Sequence, residues 1–235
     1  MILSPLAEES VQKIINRYLE YQNNKIKVQD FDRLLERADR YAVEFAQEKR
    51  YIIAEKAKYE ELRERILKLD TNHMTPDQLE RKIKESDAVV LYIPEMKRLY
   101  DLLKDFKIFS TKYHFLLSRI EVTAKYYSQA SKENLLKDEK ALKVSIEDVQ
   151  ALLEEARNLH LDLSLYILPL QKKVDEASKL KDFLTKFIKQ PMEIEGLVAL
   201  KMQALQLGIL TDEIIQIDDK VRDWSEGLSG REPKA

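Results

Sequence analysis

From Pro94 to Tyr127 the chain reads PEMKRLYDLLKDFKIFSTKYHFLLSRIEVTAKYY, with no glycine and no proline after the first. Met96, Leu99, Leu103, Phe106, Ser110, Tyr113, Leu117, Ile120, Ala124 and Tyr127 fall alternately three and four residues apart. That spacing puts them on one face of an α-helix, whereas a strand would need alternation by two. Upstream the same pattern runs through Phe31, Leu34, Ala38, Tyr41, Phe45, Glu48, Ile52, Glu55, Tyr59, Leu62 and Ile66. Read as one helix at 1.5 Å per residue, this stretch is about 54 Å long. Two such rods predict an antiparallel coiled-coil hairpin, with Phe45, Ile52 and Tyr59 set against Leu103, Tyr113 and Leu117. The polar seam members Glu48, Glu55 and Ser110 read either as solvated or register-setting positions or as contacts to a partner helix.

Composition agrees with this reading over the whole chain. Its 235 residues hold only 4 Gly and 6 Pro, about 4% together against a usual share of roughly 12%. Folds built on many tight turns consume both residues, and helix interiors exclude both. The fold class expected is all-α and elongated: long antiparallel coiled-coil helices followed by repeated short-helix/long-helix units. The 40 Lys plus Arg nearly cancel 42 Asp plus Glu, leaving a net charge of -2 and no strong field toward nucleic acid or membrane. With no cysteine, disulfides, thiolate zinc sites and a cysteine nucleophile are excluded. The opening MILSPLAEES has neither the basic nor the apolar segment of a signal peptide, which reads as a soluble intracellular chain.

Helix starts are written locally. Ser4-Pro5 places a capping residue before a proline at the first helical position, and QNNK near residue 24 predicts a break. Thr75-Pro76-Asp77-Gln78 is a capping box for a short helix over 76–86, and Ser145-Ile146-Glu147-Asp148 starts another in the same way. Met192-Glu193-Ile194-Glu195, after Pro191, starts a third.

These starts head a repeat. Displacing residues 146–159 by 48 pairs Ile146 with Ile194, Glu147 with Glu195, Ala151 with Ala199, Leu152 with Leu200, Ala156 with Ala204 and Leu159 with Leu207. After a one-residue deletion, Lys173 and Val174 match Lys220 and Val221. The unit predicted is a short helix, a tight apolar loop (HLDLSLYIL or GILTDEI) and a longer helix. AVVLYIPEMKRLY parallels LSLYILPLQKKVD, so Pro94 and Pro169 are expected at equivalent corners. Ile214, Ile217, Val221, Trp224 and Leu228 share one face of a last helix. The organisation expected is a helical hairpin over 1–130, repeated units over 145–228 and a disordered tail at 229–235, with a hinge or disordered loop in SKENLLKDEK at 131–140.

Little here supplies chemistry. All four glycines lie beyond residue 195, so no phosphate-cradling loop is available. His160-Leu161-Asp162 formally matches half of a two-histidine, one-carboxylate iron site, but the second histidine would have to be His73 in a turn or His114 on a rod. His160 reads better as a group satisfying a helix C-terminus. Lys104, Lys107, Lys112, Arg119 and Lys125, interleaved with Phe109, Tyr113, Phe115, Tyr126 and Tyr127, offer a weak phosphate-contacting face. The aromatics are explained first as core.

Three stretches carry a resemblance: LERKIKESDAVVLYIPEMKRLYDLLKDF, SIEDVQALLEEARNLHLDLSLYILPLQKKVDEASKL and IEGLVALKMQALQLGILTDEIIQIDDKVRDW. Over residues 76–228 the chain resembles the helical PLU-like region of the jumonji and ARID domain histone lysine demethylases, the lid family. The resemblance implies a nuclear chromatin protein whose parent chain demethylates lysine four of histone three with iron and 2-oxoglutarate. The family's iron ligands, zinc finger and PHD finger have no counterpart here, so no catalytic, cofactor or metal residue carries over. The expectation is a non-catalytic scaffold that positions reader and catalytic domains and binds protein subunits of a chromatin complex, with no cofactor and no membrane contact of its own. The competing expectation is a free-standing coiled-coil adaptor or spectrin-like spacer. Trp224 and the seam residues are the structural positions on which either depends.

Overall fold

Pro5 opens the first helix, α1 (Pro5–Asn24), which ends within the QNNK stretch. There the missing proline N–H leaves no helical hydrogen bond unmade. The structure is a computed structural model describing residues 5–40, 46–129, 144–187, 194–214 and 216–217. Seven further α-helices follow among these residues: α2 (Val28–Arg40), α3 (Ala46–Leu67), α4 (Pro76–Glu85), α5 (Met96–Gln129), α6 (Ile146–Asn158), α7 (Ser164–Phe187) and α8 (Ile194–Leu207). A 3-10 turn at Ser86–Ala88 closes α4. The fold is all-α, and among the described residues extended pairing is limited to one isolated parallel bridge, Ile26 with Leu91. Phe45, Trp224, the hinge expected at 131–140 and the tail at 229–235 lie outside the described residues.

Both predicted capping boxes form. Thr75 Oγ1 accepts from Gln78 N at 3.3 Å while Gln78 Oε1 accepts from Thr75 N at 2.9 Å. Ser145 Oγ accepts from Asp148 N at 3.1 Å and Asp148 returns an acceptor to Ser145 N at 3.0 Å. Each box satisfies two of the N–H groups that a helix start leaves without partners.

The chain divides into two compact units, Met1–Thr111 with Arg157–Leu163, and Lys112–Ala156 with Ser164–Ala235. The division falls inside α5 rather than near residue 130. The buried stripe of α5 changes there too. Met96, Leu99, Leu103 and Phe106 are buried as the seam predicts, but beyond Phe106 the buried positions are Phe109, Tyr113, Leu116, Ile120 and Thr123. Ser110 and Leu117 are only half-buried. Two consecutive steps of three, from Leu103 to Phe106 to Phe109, move the buried stripe around the helix.

In the first unit, the rod expected over Phe31–Ile66 is two helices. Lys56 Nζ meets Asp32 Oδ1 at 2.6 Å and Lys49 pairs with Asp39, so advancing along α2 means retreating along α3. The two form an antiparallel hairpin. A heptad pattern reports that each stretch is an amphipathic helix but not that the two are collinear, and no Gly or Pro stands between them in the sequence. Glu55, Tyr59, Leu62 and Ile66 are the buried face of α3, with Ile52 half-buried and Glu48 exposed. Glu55 is thus buried rather than solvated: its Oε1 accepts from Lys58 at 2.6 Å, and its Oε2 has no hydrogen-bond partner among the described residues.

The second unit is built on Val149, Leu152, Leu153 and Ala156 of α6, Leu170, Val174, Ala177, Leu180 and Leu184 of α7, and Ile209, Leu210, Ile214 and Ile217 after α8. Fully burying each aliphatic chain contributes on the order of 2 kcal/mol. Pro169 does not occupy the corner expected. It lies in the second turn of α7, and the Leu-Tyr-Ile triplet before it is helical, so that Leu165 is 83% exposed while its supposed counterpart Leu91 is fully buried. So near a helix start a proline removes one hydrogen bond without stopping the helix.

Equivalent buried positions recur, but not at the corners expected. Leu79, Ile83 and Ser86, then Leu91 and Ile93, are buried. Seventy residues on, so are Val149, Leu153, Ala156, Leu161 and Leu163. The loop after each short helix donates one backbone hydrogen bond to the carbonyl two residues ahead of an earlier helix: Tyr92 N to Ile26 O, Asp162 N to Met74 O and Leu210 N to Val144 O, each 2.9 Å. Ile26 stands before α2, Met74 before α4 and Val144 before α6. The loop of one repeat therefore clasps the start of the repeat before it.

Candidate functional site

Beside the clasp at Met74 the first unit has a polar cleft. Asp70, Thr71 and Asn72 come from the loop after α3, Arg98, Leu102 and the i, i+4 pair Asp101 and Asp105 from the first turns of α5, and His160 from the loop after α6. They line a cleft of about 530 Å³, within the usual range for a small-ligand site.

Local chemistry fixes its walls. Asp70 Oδ1 accepts from both the backbone N and the Nδ2 of Asn72, at 3.0 and 2.9 Å. This turns Asn72 Oδ1 toward His160, whose Nδ1 lies 3.2 Å away. Since that oxygen can only accept, His160 Nδ1 is the donor, which in the neutral imidazole makes Nε2 the acceptor. His160 itself has φ +50, in the left-handed region that His adopts more readily than most residues. On the opposite wall Arg98 donates to the Leu69 carbonyl at 3.2 Å, and Lys104 stands 3.6 Å from Asp101 and 4.0 Å from Asp105. Three carboxylates thus face one guanidinium inside the cleft.

A second polar cluster lies at the end of α1 and is closed by its own contacts. Lys25 Nζ donates to the carbonyls of Ser86 at 3.2 Å, Asp87 at 2.9 Å and Val89, a cation set on the C-terminal end of α4 and its 3-10 turn. Burial pushes the Lys25 ammonium below its ordinary value, while Asp87 and Glu55 favour the charged form. Tyr21 accepts from Ile93 N at 3.1 Å and packs against Tyr92 and Tyr100, and burial pushes its phenol up to about 12.

The residues singled out from sequence are distributed differently. Tyr59 and Leu103 are buried in the first unit; Tyr113 is buried in the second, where it meets the Tyr166 ring edge-on at 5.0 Å, and Leu117 is half-buried. The basic stretch is largely occupied by partners within the chain. Besides Lys104, Lys107 pairs with Glu80 at 2.9 Å and Lys112 with Glu155 at 2.7 Å, and Arg119 lies over the Phe115 ring at 5.8 Å. Lys125 is exposed and also has an interaction within the chain. Phosphate contacts would have to displace these carboxylates.

Of the histidines, His73 is exposed at 3.8 Å from Asp70, and His114 is exposed against Tyr113. Among the described residues no three His, Asp or Glu side chains form a group that could hold a metal ion, and no helix is long and apolar enough to cross a membrane. The cleft was missed because its residues are far apart in sequence. The available signal was the step of 48 residues, which puts His160 where the next unit has Gly208. No protein-family model, curated protein or solved structure matches the chain.

Proposed function

We propose that the chain is a non-catalytic helical scaffold, an elongated array of clasped repeats that spaces other domains and presents helix faces to partner subunits. The three equivalent clasps carry this reading. In an array where each unit is tied to its neighbour, stability is built locally and length grows with repeat number. Leu165 and Leu168, 83% and 66% exposed on the first turns of α7, add apolar surface suited to a protein partner. The sequence resemblance supports a nuclear setting, in a relative of the lid-type histone demethylases whose iron and 2-oxoglutarate chemistry belongs to other parts of the parent chain.

Small-angle scattering on the isolated chain tests the array. A radius of gyration well above the roughly 18 Å of a globule of this length is expected, and a value near it would overturn the elongated reading. The parent open reading frame separates the two scaffold readings: a jumonji core in the same gene product supports the demethylase relative, and its absence leaves the free-standing coiled-coil adaptor or spacer.

A further inference from the structure

We infer that the cleft between the Asp70–Asn72 loop, the start of α5 and His160 is a binding site for an organic cation, a primary ammonium or guanidinium group.

Three features converge on that chemistry. Asp70, Asp101 and Asp105 outnumber Arg98 and the neighbouring Lys104, and Arg98 is already anchored on the Leu69 carbonyl, so the cleft keeps a small excess of negative charge. Thr71 is only 6% exposed, lines the cleft, and its hydroxyl has no hydrogen-bond partner among the described residues. Finally, the Asp70–Asn72–His160 chain commits Nδ1 as a donor, so that in the neutral imidazole Nε2 is the acceptor. Carboxylates, a hydroxyl oxygen and an imidazole lone pair form an acceptor-rich lining for a ligand rich in N–H donors. A metal ion is a poorer occupant, since the acidic groups do not converge on one point. Bonds from an ammonium or guanidinium to carboxylates are charge-assisted and among the stronger hydrogen bonds in water.

The repeat supplies a further contrast. The third clasp makes the same hydrogen bond through Gly208 and needs no side chain there, whereas the second keeps a histidine in a left-handed conformation and ties it to Asn72. The backbone does not require that imidazole; a ligand in the cleft would.

Isothermal titration of the full chain at low ionic strength tests the site with two probes, spermine and an unstructured peptide alternating Arg and Gly. At least one is expected to bind, at least tenfold more weakly to the Asp101→Asn/Asp105→Asn variant and several-fold more weakly to Thr71→Val and to His160→Gly. His160→Gly should keep the wild-type thermal melt, because Gly suits the left-handed turn, so its loss of binding cannot be ascribed to unfolding. Binding of spermine alone identifies a small polyamine-like cation, and binding of the peptide alone a basic polypeptide segment. The proposal is overturned if neither probe binds, or if the variants bind as tightly as the native chain.

Discussion

After α6 the chain turns through His160 at φ +50, and after α8 it turns through Gly208 at φ +69. Both turns deliver the residue two further on to a clasp of 2.9 Å, Asp162 to Met74 and Leu210 to Val144. What differs is the space beside the Cα atom. At Gly208 a Cβ would stand 2.2 Å from the Ile120 carbonyl oxygen; at His160 the side chain reaches outward to Asn72. The left-handed backbone is therefore what the repeat requires, and glycine is a separate demand made by packing in the second unit. Where that demand is absent, the position is available for chemistry.

The largest expected effect breaks the tight member of the pair. Gly208→Ala should lose roughly 4 kcal/mol of stability, a left-handed penalty plus the displacement of a backbone carbonyl. Urea unfolding measures it, and a loss below about 1 kcal/mol would mean that the Ile120 carbonyl yields easily and the contrast is shallow. Next come the boxes ahead of the two clasped carbonyls. Thr75→Ala and Ser145→Ala should each cost about 1 kcal/mol, because each removes one acceptor from a helix start. Equal losses sharpen the equivalence of α4 and α6, and a loss in one alone breaks it. The smallest effect is at the open member: His160→Gly should change stability by less than about 0.5 kcal/mol, since relief of the left-handed strain offsets one exposed hydrogen bond. A loss above about 1.5 kcal/mol would make the imidazole a structural support rather than a ligand group.

Local signals in the sequence were read correctly where the physics is local. Ser or Thr three residues ahead of an acid or amide marks a helix start because both hydrogen bonds close within one turn, and both boxes are present. The identities between 146–159 and 194–207 likewise mark two helices that begin 48 residues apart, at Ile146 and Ile194. Signals failed where the decision is tertiary. The seam from Phe31 to Ile66 is equally consistent with one rod or with the α2–α3 hairpin, and the Asp32–Lys56 and Asp39–Lys49 pairs that distinguish them link residues on different helices. The likeness of Leu91-Tyr92-Ile93 to Leu165-Tyr166-Ile167 misled for the same reason: in the first unit Ile26 pairs with that triplet and draws it into an extended bridge, whereas the second triplet is helical. Glu55 at a seam position could not be distinguished from a solvated acid until Lys58 and the surrounding core were placed. The cleft was the least legible feature, since Asp70, Asp101 and His160 meet only because a backbone clasp joins loops that the sequence keeps apart.

The clasps also set an order in time. Each carbonyl waits for a donor made roughly 65 to 90 residues later, so on the ribosome a short helix is complete well before the loop that ties it down has been synthesised. Ile26, Met74 and Val144 must each hold an unclosed end until Tyr92, Asp162 and Leu210 arrive. The capping boxes beside Met74 and Val144 are different in this respect: the hydrogen bonds of Thr75 and Ser145 close within one turn and need none of the later loops.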